Sequence, residues 1–250
     1  MNLKEFTNNA RKNIISMSYL SKTGHIPSAL SMVDYLSVIF RKYVNPQDYR
    51  IILGKPFGAQ AYYSIFSKCG WIEPNFSKYG TTDINWRYII QREHPLITFI
   101  DDTMGNTLSV ACGIALANKK VYINISDASL QEGTIWEAIM FAGFSKLKNI
   151  FMSIDNNNMQ AQGKIQDILD IEPLKEKFQL FGWNAYVSNG HDIQEMTKIL
   201  DEALQNPTIP TVVIFRTVKG KGVSFMENSP DWHYQILNET FYNKAMEELL

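Results

Sequence analysis

Val121-Tyr-Ile-Asn-Ile125, closing on Ser126-Asp127-Ala128-Ser129, and Ile150-Phe-Met-Ser-Ile154, closing on Asp155-Asn156-Asn157-Asn158-Met159, are the two stretches on which the fold turns. Each is a short apolar run bounded by polar turn residues, the pattern of a strand buried on both faces of a parallel sheet. Between them Trp136, Ile139, Met140, Phe144 and Leu147 recur at helical spacing. Such a strand–helix–strand crossover sets the carboxyl ends of both strands side by side at one sheet edge, where open α/β proteins bind ligands. Asp127 and Asn157, 30 residues apart, would meet there. A carboxylate and an amide oxygen are hard donors that suit a magnesium ion sharing its remaining positions with water and substrate phosphates. A magnesium–diphosphate site is therefore the first expectation. Asp127 can also be read as a cap on the following helix, and the asparagine run as a plain turn.

Working outward, residues 3–21 and 29–43 read as amphipathic helices, the second with Leu30, Val33, Leu36, Ile39 and Phe40 on one face. A short strand at 50–54 and a helix at 59–68 follow, and residues 70–100 are irregular and rich in aromatics. Beyond 102 the pattern alternates: helix 105–117, strand 121–125, helix 131–146, strand 150–154, helix 172–181, strand 184–187, helix 192–205, strand 211–215, and a last helix from 238. This predicts an α/β fold, a doubly wound and mostly parallel sheet with helices on both faces, in a single domain over 1–250. The chain is 45% hydrophobic, enough for a sizeable core. Its net charge of −1 provides no basic field for nucleic acid. Cys69 and Cys112 offer no disulfide framework. A polar N-terminus without a secretory h-region, and no apolar run long enough to span a bilayer, predict a cytoplasmic chain with no membrane contact.

The stretch from Ser126 to Gly163 resembles the cofactor motif of thiamine diphosphate enzymes as transketolases write it. Leu130-Gln131-Glu132-Gly133-Thr134-Ile135-Trp136-Glu137-Ala138 is similar to the family's run after the metal-binding turn. Family-like segments follow its order along nearly the whole chain: Gly24-His25, Met104-Gly105-Asn106-Thr107-Leu108, Phe181-Gly182-Trp183, Gly190-His191-Asp192, Thr217-Val218-Lys219-Gly220-Lys221-Gly222, and Trp232-His233. The resemblance extends over a transketolase's diphosphate-binding domain and no further. It implies an N-terminal subunit of a split enzyme, inactive until it meets a separate C-terminal transketolase-like subunit carrying the pyrimidine-binding domain and its activating glutamate. It also implies self-association to a two-fold heterotetramer, thiamine diphosphate and magnesium as cofactors, and transfer of a two-carbon ketol unit between sugars or sugar phosphates.

The same resemblance assigns residues. Asp127, Asn157 and the Met159 carbonyl become the metal ligands. Gly105, Leu108, Ala128 and Ser129 join Asp127, Asn157, Met159 and His233 around the cofactor, and His25, His94 and His233 become catalytic histidines. Glu132 becomes an interface residue linking paired active sites. Lys219 and Lys221 read as solvated charges on a hairpin, and His191 as a structural residue before an Asp192 helix cap. The chain departs from the family at Ser126-Asp127-Ala128, where glycines flank the aspartate, and at Gly54-Lys55-Pro56-Phe57, where an imidazole gives way to Phe57. It departs again at Gly24-His25-Ile26-Pro27 and at Asp101-Asp102-Thr103, two acids that would repel a diphosphate unless they point away. Phe57 suggests a less polar acceptor or a sugar derivative other than a pentose phosphate. A 2-oxo-acid-utilising thiamine diphosphate enzyme, of which this chain would be one component, and a degenerate non-catalytic partner remain alternative readings.

Overall fold

A computed structural model describes residues 2–90, 94–101 and 103–250. Six strands form one parallel sheet: β1 (Tyr49–Leu53), β2 (Phe99–Ile100), β3 (Lys120–Ser126), β4 (Ile150–Asn156), β5 (Asn184–Asn189) and β6 (Thr211–Arg216). Their order is β2-β1-β3-β4-β6-β5. Helices α1 (Leu3–Ser21), α2 (Ile26–Lys42), α3 (Ala59–Lys68), α8 (Ile193–Ala203) and α9 (Glu239–Glu248) pack on one face. On the other lie α4 (Thr107–Leu116), α5 (Gly133–Phe144) and α7 (Leu174–Leu180), with the single turn α6 (Ile165–Ile168) nearby. Side chains alternate between the two cores as the pleat requires: Tyr122 and Phe151 join the first, Val121, Ile123, Ile150 and Met152 the second. The doubly wound expectation is met, and the sheet is parallel throughout among the described residues.

Local chemistry sets the boundaries. Helix α2 begins at Ile26, three residues before the hydrophobic stripe suggests, because Pro27 in its first turn is preorganised for a helix start and the turn is already buried. The crossover between β3 and β4 is not one helix from 131: a 3-10 turn over Ala128–Gln131 precedes α5, and Glu132 in extended backbone separates them. Within the aromatic segment the structure adds β2, paired to β1 through Ile52–Phe99 and Leu53–Ile100. Two residues are too few to leave a periodic signal.

The α5–α7 contact is close enough to need glycine. A Cβ on Gly143 would lie 1.7 Å from the carbonyl oxygen of Phe181, the residue that ends α7, so Gly143→Ala forces α5 and the end of α7 apart. Thermal or denaturant unfolding should show a loss of about 3 kcal/mol or more, the upper range for overpacking.

Candidate functional site

The carboxyl ends of β3 and β4 lie in register, Ser126 against Asp155, and the Asp127 N–H donates to the Asp155 carbonyl at 3.1 Å. The chain thus leaves both strands at one place, and the turns carrying Asp127 and Asn157 are brought together as the crossover requires. Asp127 is buried beneath the cleft. The Ala128 N–H donates to its Oδ1 at 2.9 Å and the Asn158 N–H to its Oδ2 at 2.6 Å. The capping reading of Asp127 therefore holds for one oxygen, while the other ties the two turns together. Burial first, and then the neighbouring Asp155 carboxylate, push the Asp127 carboxyl up to about 7. Among the described residues no cation forms an ion pair with it. A buried carboxylate so placed favours a cation.

Asn157 serves as a turn residue and as a donor. The Met159 N–H donates to its Oδ1 at 3.0 Å, and its Nδ2 donates to Asp155 Oδ2 at 2.8 Å, which orients the amide oxygen away from Asp155. Among the described residues no donor reaches the Met159 carbonyl, because Met159 is the non-bonded position of its bridge to Lys164. A carboxylate, an amide oxygen and an unused carbonyl are a hard-oxygen set that fits magnesium.

Above this turn opens a cleft of ≈ 310 Å3, lined among others by His25, Lys55, Phe57, Met104, Lys219 and His233. Ser126, Ala128, Asn157 and Met159 form its floor. His25 and Met104 both have positive φ, 59° and 64°. Strain of this kind in non-glycine residues concentrates at functional sites. Met104 leads into the turn at Gly105, whose carbonyl accepts the Thr134 hydroxyl at 2.9 Å. Gly105 also lies beside Glu132, whose side chain is not used as a helix cap. The Leu108 side chain is packed in the α4–α5 core, which leaves only its backbone at the helix start. Ser129 is buried below the turn, its hydroxyl 3.1 Å from that of Ser126.

Two of the three predicted histidines meet in the cleft. His25 and His233 rings lie 5.0 Å apart, edge to face, and His25 stacks on Phe57 at 4.8 Å. His25 Nδ1 is hydrogen-bonded to the Tyr88 hydroxyl. Burial, reinforced by Lys219 and Lys55, lowers His25 to about 4, and burial with Lys219 lowers His233 to about 3. Both rings are neutral at pH 7. His94 is not brought to this cleft. Its ring packs in an aromatic cluster against Tyr63 and Phe66, with Nδ1 accepting the Leu96 N–H at 3.3 Å. Both rings that enclose it belong to α3, and His94 is not among the residues that line the cleft.

Lys219 is the main surprise. The sequence pattern makes it a solvated charge, yet it is 1% exposed, with Nζ 2.8 Å from His233 Nδ1 and donating to the Gln160 carbonyl at 3.3 Å. Burial and the nearby Lys55 lower its pKa to about 8. Lys221, by contrast, is partly exposed and pairs with Glu227. Lys55 has no role in the sequence reading either. It is buried in an ion pair with Asp155, which further accepts from the hydroxyls of Ser31 at 2.7 Å and Thr217 at 2.5 Å. Burial raises the Asp155 carboxyl, but Lys55 and these donors outweigh it and hold the group below the usual carboxylate range. Nothing in the local pattern marks either lysine, since only the packing of α2, β4 and β6 around them makes them buried cations. Asp101 does not face the cleft: its carboxylate accepts from Thr103 and the Asn106 N–H, capping the turn before α4. Asp102 lies outside the described residues.

Lys219 should be charged below about pH 8 and neutral above it. Anion affinity in the cleft should therefore fall as pH rises through 8, by roughly tenfold from one extra unpaired charge. The measurement is cofactor binding at pH 7 and 9.5, and Lys219→Met should flatten the difference.

A parallel sheet wound on both faces, with two buried lysines and a hard-oxygen turn at its carboxyl edge, is an α/β domain whose chemistry at that edge suits an anionic ligand and a hard cation. The chain belongs to the transketolase family: its residues 103–248 match the family's thiamine diphosphate binding domain. It is 31% identical to one subunit of the apulose-4-phosphate transketolase of Actinobacillus succinogenes, over 96% of this chain and 92% of that one. It is 29% identical to the 6-deoxy-6-sulfo-D-fructose transketolase subunit SqwG of a Clostridium species, over 90% and 88%. Human transketolase is 27% identical over 99% of this chain, which spans 42% of it. The transketolase structure from Campylobacter jejuni superposes with a TM-score of 0.89 at 25% identity, covering 100% of this chain and 43% of that one.

Proposed function

We propose that this chain is the diphosphate-binding subunit of a two-component transketolase, and that with a separate chain carrying the pyrimidine-binding domain it transfers a two-carbon ketol unit from a ketose to an aldehyde. One observation carries the reading: the chain runs nearly end to end with two relatives that are each named as a transketolase subunit, and spans under half of the long transketolases.

In this reading Asp127, Asn157 and the Met159 carbonyl hold magnesium, and Lys219 with His233 faces the diphosphate. When bound, thiamine diphosphate supplies the nucleophilic carbon and the electron sink for ketol transfer. The residues of this chain bind and orient. Asp127 neutralises part of the metal charge from below. Lys219 balances an anion that burial has stripped of water. His25 and His233, neutral at pH 7, can donate to or accept from sugar hydroxyls without adding charge. Phe57, stacked on His25, lines the cleft with apolar surface, which favours a substrate less polar at that position than a pentose phosphate.

Two-fold assembly fits the outer face of α5, where Met140, Phe141 and the 89% exposed Phe144 project together. An apolar stripe of this size seldom faces water in a working assembly. Glu132 heads the same helix, close to the axis that such pairing would create.

The test is reconstitution with a chain carrying the pyrimidine-binding domain, assayed with ketose donors and with pyruvate. Ketose-dependent transfer to an aldehyde supports the reading. Turnover of pyruvate with no ketose use would replace it with a 2-oxo-acid enzyme, and cofactor binding without turnover of either would point to a non-catalytic partner.

A further inference from the structure

Away from the cleft, an open groove of ≈ 1000 Å3 runs between the start of α1, the start of α8 and residues 221–222. A buried polar chain forms its floor. Arg11 of α1 donates twice to Asp34 of α2, Nη1 to Oδ1 at 2.9 Å and Nη2 to Oδ2 at 2.6 Å. His191, at the turn from β5 to α8, places Nδ1 2.8 Å from Asp34 Oδ2. The Val218 backbone N–H donates to His191 Nε2 at 2.8 Å. Nε2 must therefore be the unprotonated nitrogen, with the ring proton on Nδ1 and donated to Asp34. The imidazole is a rigid strut between a buried ion pair and a backbone amide.

The amide it holds is well placed. Strand β6 ends at Arg216, and the Thr217 N–H makes the last bond to β4, donating to the Asn156 carbonyl at 3.1 Å. Val218 is the first residue with no sheet partner, and it separates Thr217, which bonds Asp155, from Lys219, which bonds His233. Two features serve this contact. A Cβ on Gly190 would lie 2.5 Å from Thr217 Cγ2, so only glycine lets the β5–α8 turn approach. Asp192 caps α8 through the N–H groups of Gln194 and Glu195, fixing the backbone beside the ring.

We infer that His191 is a positioning residue of the cleft: by accepting the Val218 N–H it carries the order of the sheet one residue further and sets Lys219 against His233. This rests on the cleft being the diphosphate site. It differs from plain support of the fold, because the bond lies where the ladder has ended and holds a cleft segment.

Two variants of the full chain, alone and in complex with its partner, separate the possibilities. Asparagine at 191 can reach Asp34 in place of Nδ1 but is too short for Val218, whereas glutamine can set an acceptor where Nε2 stands. His191→Asn should speed amide exchange at Val218 by roughly tenfold while Ile123 and Ile154 in the central strands stay protected. It should also weaken thiamine diphosphate binding by the complex roughly tenfold, the lower range for residues that orient a ligand's contacts. His191→Gln should recover most of both. Unchanged Val218 exchange and unchanged affinity in His191→Asn would overturn the inference, and so would equal acceleration at Ile123 and Ile154, which marks global destabilisation. Failure of the unmodified complex to bind the cofactor would count against the functional reading, and exchange at Val218 would still decide whether His191 holds the loop.

Discussion

Replacing Asp127 by alanine is expected to abolish magnesium-dependent cofactor binding in the assembled complex and to leave the fold standing. The carboxylate is buried, accepts two backbone N–H groups and has no ion-pair partner among the described residues. Losing a charged ligand of this kind removes about 3 kcal/mol, or roughly 100-fold in affinity, before the metal's own contribution is counted. The fold gains and loses in comparable measure. The Ala128 and Asn158 N–H groups lose an acceptor, at about 1–3 kcal/mol each if they stay buried and dry. Against this, the substitution removes a carboxylate that burial and the Asp155 charge already disfavour. Calorimetric titration of magnesium and thiamine diphosphate, with circular dichroism of the same samples, measures both sides. Unchanged affinity would sink the assignment, and a molten variant would show that Asp127 is chiefly a structural tie between the two turns.

The second large effect concerns the chain on its own, which is expected to show no ketol transfer at any concentration. The cleft is open to solvent, and Asp127, Asn157, Lys219, His25 and His233 bind or orient. None of these five stands out as a group that could activate the cofactor's reacting carbon. Activity should appear on adding the partner chain, saturate at equal stoichiometry, and travel in native mass measurement with a species of two copies of each. Turnover by the purified chain in proportion to its own concentration would refute the division of labour. A stable and fully active one-to-one pair would refute the two-fold assembly, and normal turnover in Glu132→Ala would remove the role given to that residue.

The element pattern is legible because β3 and β4 are short apolar runs bounded by turn residues, with a helix-length stretch between them, and a crossover between parallel strands is almost always right-handed. Which face of α5 is buried is not legible, since Met140 and Phe144 of its apolar series are exposed. The meeting of Asp127 with Asn157 follows from that topology alone. Residues that depend on a second, distant element are not legible. His94 has the surroundings of a loop histidine in the sequence, and only the packing of Tyr63 and Phe66 against it shows that it is enclosed. Lys219 sits in a glycine-rich run that reads as a solvated hairpin, yet the loop folds inward because the Gly220 N–H donates to the Pro27 carbonyl and Arg11 Nε to the Lys221 carbonyl.

By itself, then, the sequence determined the layer architecture, the direction of the sheet and the edge at which ligands gather, since hydrophobic period and crossover length are local properties. Tertiary structure alone decided which charges are desolvated. Lys55, Asp155, Lys219 and the Arg11–Asp34–His191 chain draw partners from distant segments, 23 residues away for Arg11 with Asp34 and 157 for His191 with Asp34, and a side chain's dielectric surroundings belong to the assembled fold rather than to any stretch of chain.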